Sequence, residues 1–319
     1  MNAFIFCKVI DNFGDAGFAL RLSREFCLKF SLKVILRINR PDLIVKMLGD
    51  ENLPNFQLLP WDSQTFALQN GDIVIELFSC HLPDFALKEI EKTTANFAWF
   101  AMDYLGLEKW IVDCHLKPSL QKNKTKYFYF PSFLKKGGGI INEKSELPSP
   151  FDLKKPWKIN VFLYDESPIQ FLKNQNLHFL GKNAFLPQKK FDAELDSATL
   201  NLIRGEDSFV RSILAGQPFV WQAYRQKDNA HFQKVLSFLE IFSPFLDSKI
   251  RQHVCDFFYF LNAMRTDFSA ESLLSPETFT IWQQNSRAFA QTLLAEKSLP
   301  KTLIDFVKSK KYGVDRGKF

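Results

Sequence analysis

Short apolar runs alternate with stretches of helical periodicity along the first half of the chain. Residues 4–10 (FIFCKVI) form a run of the kind expected of a strand buried on both faces. Over residues 17–30 the apolar positions Phe18, Leu22, Phe26 and Phe30 recur every four residues, which predicts a helix. KVILRI (33–38) predicts the next strand, and Pro41 opens a short helix, because proline fits a first helical turn. DIVIELF (72–78), NFAWFAM (96–102) and KYFYFPSF (126–133) predict further strands. This βαβ rhythm implies a mostly parallel sheet. Residues 134–157 interrupt it with glycine, proline and charge, as linkers do, and place a domain boundary near 150–155. The rhythm then restarts, with strands at 157–164, 177–181, 184–187 and 200–205, a helix at 207–215 and a strand at 218–222. Beyond about residue 228 helical periodicity takes over, in 231–242, 249–262, 276–295 and 300–310, followed by a basic tail. No short-period repeat is present.

Composition narrows the class. A length of 319 residues suits one large or two medium domains, and 46% hydrophobic residues suffice for real cores. The 35 phenylalanines read first as core material. A net charge of +6 is mild and scattered, which favours an anionic substrate or an acidic protein partner over a nucleic acid. Lys122, Lys124 and Lys126 read as a solvated face. The five cysteines form no CxxC pair, as expected of free thiols in a reducing compartment. The N-terminus has no signal-peptide pattern, and no run approaches the roughly 20 apolar residues of a membrane span, so a soluble cytoplasmic protein is expected.

Two strand-to-helix junctions carry the candidate chemistry. The first, VIDNFGDAG (9–17), places Asp11 and Asp15 just past the first strand, where ligands of doubly wound sheets gather. Gly14 and Gly17 would allow a tight turn there. The spacing is not GxGxxG, so no dinucleotide fingerprint is met. The plainer alternative is that Asp15 caps the following helix. The second junction, IRGEDS (203–208), brings Arg204, Gly205, Glu206, Asp207 and Ser208 to a helix start, whose free N–H groups suit phosphate oxygens. Acidic residues are also an ordinary helix-start signal, and Arg204 could bind a phosphate or simply pair with a carboxylate. Upstream, Phe185, Gln188 and Phe191 could frame a base or belong to the core. The five histidines form no zinc pattern, the glycine run 137–139 lacks the GK[ST] of a P-loop, and no GxSxG elbow occurs.

CKVIDNFGDAG, IELFSCHLP (75–83), DYL (103–105), residues 115–140, FLPQKKFD and IRGEDSFVRSILAGQPFVWQAYRQKDNAHFQK together resemble the arginine rhamnosyltransferases of elongation factor P, over most of the chain and in the family's order. Asp103 stands where that family usually has Glu, and Ser132 where it usually has Gly. The resemblance implies an α/β GT-B fold, two Rossmann-like domains facing a central cleft. It implies residues 1–152 as the acceptor-binding domain and 153–302 as the nucleotide-sugar-binding domain, with 303–319 crossing back to the first. It further implies inverting transfer of rhamnose from dTDP-β-L-rhamnose to an arginine of elongation factor P, in the cytoplasm, with no cofactor and no metal. That modification helps ribosomes through polyproline stretches. Carried over by position, Asp15 is the general base, Asp11 its companion carboxylate and Glu206 a donor-side catalytic residue. Asp207 and Ser208 lie beside the diphosphate, Phe185, Gln188 and Phe191 line the thymine pocket, and Tyr164 borders the nucleotide. Asn12, Phe13 and Gly14, between the two aspartates, complete the expected substrate-binding set.

The residues make chemical sense of this. A guanidinium with a pKa above about 12 is a poor nucleophile. A carboxylate cannot strip it beforehand, but can hold it by charged hydrogen bonds and take the proton late, as the C–N bond forms. A diphosphate leaving group needs charge stabilisation rather than an acid, which helix N–H groups and hydroxyls supply. Glu206 beside a diphosphate is better suited to sugar or ribose hydroxyls, or to orienting Arg204. The rival readings are a GT-B transferase using another nucleotide sugar or a small acceptor, and a non-catalytic adaptor for a translation factor. The carboxylate set weighs against the adaptor.

Overall fold

Alternation inside the first strand decides the layering of the N-terminal unit. In β1 (Asn2–Cys7), Ala3, Ile5 and Cys7 join one core layer while Phe4 and Phe6 join the other, and all five are buried. The computed structural model describes residues 1–10, 12–172, 174–180, 185–269, 273–310 and 312. The chain divides into two units, Met1–Glu143 with the segment from Lys297 onward, and Lys144–Glu296.

The first unit runs β1, α1 (Asn12–Phe30), β2 (Lys33–Ile38), α2 (Pro41–Leu48), β3 (Phe56–Pro60), β4 (Ile73–Leu77), α3 (Asp84–Lys92), β5 (Ala98–Met102), α4 (Ile111–Cys114), β6 (Pro118–Gln121) and β7 (Lys124–Tyr129). The strand order is β3-β2-β1-β4-β5-β7-β6. All pairs are parallel except β6 with β7. The sequence pattern missed β3 and β6, whose half-exposed positions give no apolar run. The last helix, α10 (Leu299–Ser309), buries Leu299, Leu303, Ile304 and Val307 in the same core layer as α1. Lys126 is not on a solvated face: its side chain is 14% exposed, lies over Trp99 at 4.9 Å and meets the buried Glu76 at 3.4 Å.

The second unit runs β8 (Ile159–Phe162), β9 (Leu177–Phe179), α5 (Gln188–Ser197), β10 (Leu200–Arg204), α6 (Glu206–Leu214), β11 (Phe219–Gln222), α7 (His231–Phe242), α8 (Ser248–Leu261) and α9 (Pro276–Ala295). Its parallel strands are ordered β11-β10-β8-β9. Phenylalanine builds this core: Phe209, Phe219, Phe238, Phe242 and Phe258 are buried in mutual ring contact. The strand expected at 184–187 does not form at residues 185–187, and residue 184 lies outside the described residues. Helix α5 begins at Gln188 instead, which puts Gln188 and Phe191 on its first turn.

The glycine- and proline-rich stretch is held on both sides of residue 143 rather than left as a linker. On the first unit, Tyr129 Oη donates to the Gly138 carbonyl at 2.8 Å and Leu299 N–H to the Ile140 carbonyl at 2.7 Å. Glu143 sits between the buried Arg21 and Arg24 at 2.7 and 2.8 Å. Gly138 has to be glycine, since a Cβ would come within 2.3 Å of the Tyr129 ring. On the second unit, Arg287 donates to the Pro148 carbonyl at 2.7 Å and Gln283 to the Phe151 carbonyl at 3.0 Å. The two units meet in sequence at 143/144, within this stretch.

Candidate active site

In each unit the candidate residues lie where strand order reverses. In the first unit the chain moves outward from β1 to β2 and β3, then returns to the other side of β1 with β4. In the second it goes from β8 to β9 and then crosses to β10. Loops diverge at such points beyond the carboxyl ends of the strands, leaving room for a ligand.

Asp15 occupies the first of these points. It lies in the first turn of α1, not in a loop, because the helix already begins at Asn12. Gly14 and Gly17 are therefore helical, and neither has the positive φ a tight turn would need. Gly17 is buried, a helix position without a side chain against the core. Asp15 is 1% exposed. Its Oδ2 accepts from the Ile10 N–H at 2.8 Å, closing the β1–α1 connection, and its Oδ1 accepts from Tyr104 Oη at 3.1 Å. The helix-start role considered for this residue is thus present in modified form: the carboxylate reaches back across the connection and favours the helix dipole. Phe13 is exposed. Asp11 and the side chain of Asn12 lie outside the described residues.

Tyr104 follows β5, in the DYL motif (103–105). Its ring stacks on Phe78 at 4.2 Å and 13°, and its N–H donates to the Asp103 carboxylate at 2.8 Å. Phe78 follows β4 and holds φ 55, as does Ser79. A left-handed non-glycine pair is costly, of order 1–3 kcal/mol each, and persists where surroundings over-determine it. The Phe78 N–H donates to the Met102 carbonyl at 2.7 Å, and its ring meets Phe18 of α1 at 5.3 Å. Residues past β1 and β5 thus meet one carboxylate, and Phe78, past β4, braces the tyrosine that reaches it. The strand-end rule that pointed to Asp15 also points to Tyr104 and Phe78.

The second point gathers most of the donor-side candidates. Arg204 ends β10 with its guanidinium 4.6 Å from the Phe162 ring and 4.7 Å from the Tyr164 ring. Among the described residues no carboxylate pairs with it, contrary to the pairing considered for it. Phe191 meets Phe162 edge-on at 5.3 Å, and Tyr164 meets Tyr224 at 5.4 Å, so rings continue on both sides of the cation. Gln188 is buried and Phe185 exposed.

Gly205 precedes α6 with φ 71 and ψ 165, a conformation essentially reserved for glycine. It has no side chain to cap the helix, whose first turn is Glu206, Asp207 and Ser208. Its carbonyl accepts from Trp221 Nε1 at 3.1 Å, and Trp221 stacks on Phe209 at 4.3 Å, which fixes the turn from below. The buried Gln222 joins neighbouring strand ends, its Oε1 accepting from the Tyr164 and Asp165 N–H groups at 2.7 and 3.1 Å. Glu206 contacts the Lys234 ammonium of α7 rather than orienting Arg204. Phe162, Gln222, Tyr224 and Lys234 were not singled out from the sequence. The first three follow from strand ends, whereas Lys234 stands 28 positions beyond its partner and has no local signal.

Among the described residues no group of three or more His, Cys, Asp or Glu is placed to hold a metal ion, and no helix is long and apolar enough to cross a membrane. All five cysteines are free thiols.

Two α/β units on mostly parallel sheets, each with polar residues at its switch point, have the architecture of the GT-B fold of glycosyltransferases. A solved structure from work on EarP-mediated arginine glycosylation of translation elongation factor EF-P shares the fold, with a TM-score of 0.60, 20% identity and coverage of 97% of this chain and 99% of that one. The chain belongs to the family described as Elongation-Factor P (EF-P) rhamnosyltransferase EarP, which matches residues 4–158 and 158–308. Similar curated proteins include a protein-arginine rhamnosyltransferase of Neisseria meningitidis serogroup B strain H44/76, 28% identical over 95% of this chain and 96% of that protein. Another, from Pseudomonas aeruginosa, is 25% identical over 81% of this chain and 86% of its own length.

Proposed function

We propose that this chain transfers rhamnose from dTDP-β-L-rhamnose to an arginine side chain of elongation factor P, with inversion at the anomeric carbon. The observation that carries this reading is that one family match runs through both α/β units, residues 4–158 and 158–308. A nucleotide-sugar donor follows from that family; its identity as the dTDP sugar belongs to the proposal. With a translation factor as acceptor, the reaction runs in the cytoplasm.

The first unit binds the acceptor and the second the donor. Asp15 holds the guanidinium and takes its proton as nitrogen attacks the anomeric carbon; Asp11 is its companion. Two of the donors that Asp15 engages are an amide and a phenol, which orient a carboxylate without transferring a proton to it. Because Asp15 is buried, the arginine has to displace part of its cover, which makes reach selective for an extended side chain. On the donor side, the α6 N–H groups, the Ser208 hydroxyl and Arg204 take up the charge that develops on the diphosphate. Phe191 and Tyr164 supply ring faces for the base, Phe185 a further ring, and Gln188 an amide to read its edge. No step is assigned to a metal or cofactor.

The test is direct. Incubation with elongation factor P and dTDP-rhamnose should add one deoxyhexose to one arginine, read by mass spectrometry, and Asp15→Asn should abolish the product. Transfer from a UDP sugar instead, or no mass increase, would overturn the reading.

A further inference from the structure

We infer that Lys234 is a positioning residue of the donor half: it neutralises and holds Glu206 so that a diphosphate can settle at the start of α6. The inference rests on the donor-site reading above. Lys234 lies in the first turn of α7, where the positive end of the helix dipole disfavours a cation, and that turn carries no acidic residue of its own. Its place against the dipole is accounted for by Glu206, whose Oε1 contacts the Lys234 Nζ. The two side chains are 23% and 28% exposed, so their charges are screened less than on an open surface.

The difficulty that Lys234 resolves is electrostatic. The first turn of α6 contains two carboxylates, Glu206 and Asp207, beside the N–H groups offered to the diphosphate. Each carboxylate repels that anion. Lys234 cancels one charge yet leaves Glu206 able to accept hydrogen bonds from sugar or ribose hydroxyls. It also restricts the Glu206 rotamers, tying the start of α6 to the start of α7.

Titration with dTDP and with thymidine separates charge from packing. Lys234→Met should weaken dTDP about 10-fold, the scale of one partly screened charge, and change thymidine less than about twofold. Lys234→Arg should keep both within about threefold, with an unaltered melting temperature. The double variant Glu206→Gln/Lys234→Met restores the pair's net charge and should return dTDP to within about threefold of the parent. If the double variant stays as weak as Lys234→Met, Lys234 binds phosphate directly and the inference is overturned. It is also overturned if Lys234→Met weakens dTDP and thymidine equally, or neither. A parent chain that binds dTDP no better than thymidine would instead sink the donor-site reading itself.

Discussion

Asp15 and Glu206 each lie in the first turn of a helix that leaves a strand beside a switch point, yet their surroundings differ in kind. Asp15 is buried, with an amide and a phenol donating to its two oxygens. Glu206 is partly exposed and in contact with an ammonium. Neutral donors orient a carboxylate and leave the proton to be supplied by a substrate. A cation cancels the charge and suits a carboxylate that must share space with phosphates. Under the proposed function, one kind of strand-to-helix junction would serve proton transfer in one unit and anion binding in the other.

The largest expected effect on donor affinity is at Arg204. Arg204→Ala should weaken dTDP about 100-fold in calorimetry, since a charged hydrogen bond and a stacked cation are lost together. An affinity within threefold of the parent would remove Arg204 from the donor side.

Acid acts on stability in both units, because burial lowers the pKa of His115 in the first and of His231 in the second. His115, in the first unit, has its Nδ1 accepting the Phe130 N–H while its buried Nε2 has no hydrogen-bond partner among the described residues, and burial lowers its pKa from the ordinary 6.5 to about 4. The folded state therefore resists protonation that the unfolded chain accepts. The stabilisation is complete above about pH 6.5 and is lost as pH falls towards 4. With a discount for the ring's partial exposure, this should amount to about 2 kcal/mol. His115→Asn keeps an acceptor for Phe130 and should flatten that slope in urea unfolding between pH 7 and pH 4.5. An unchanged slope would assign the acid sensitivity elsewhere.

A smaller change probes Asp15 through its neighbour. Tyr104→Phe keeps the stack on Phe78 and deletes one hydroxyl, so kcat should fall about 10-fold with the melting temperature and donor KM unchanged. A rise in KM with kcat intact would make Tyr104 a binding residue instead. The smallest expected effect is that of EDTA, which should leave the transfer rate unaltered; loss of activity restored by a divalent ion would add a metal to the donor side.

Much of this contrast was legible in the sequence, and the gaps have physical causes. Apolar runs located β1, β2, β4, β5, β10 and β11 because strands covered on both faces need them. The edge strands β3 and β6 carry no such run, and α5 was missed because Pro187 and the charged KKFDAELD stretch concealed a short amphipathic helix. Glycine in VIDNFGDAG suggested a turn, where the structure uses it inside α1. Composition read residues 134–157 as a linker, but backbone carbonyls held by Arg287, Gln283 and Tyr129 order the stretch on both sides of residue 143. The junction carboxylates were visible locally, whereas their partners, Tyr104 at 89 positions and Lys234 at 28, come from other elements.

The division of labour is tested most directly by single-turnover transfer to elongation factor P at saturating donor, with Asp15→Asn and Glu206→Gln measured side by side. The account predicts that Asp15→Asn slows transfer at least about 1,000-fold with dTDP affinity within twofold, and that Glu206→Gln slows it far less while shifting dTDP affinity. Transfer by Asp15→Asn within about tenfold of the parent, or the reverse ranking of the two variants, would contradict it.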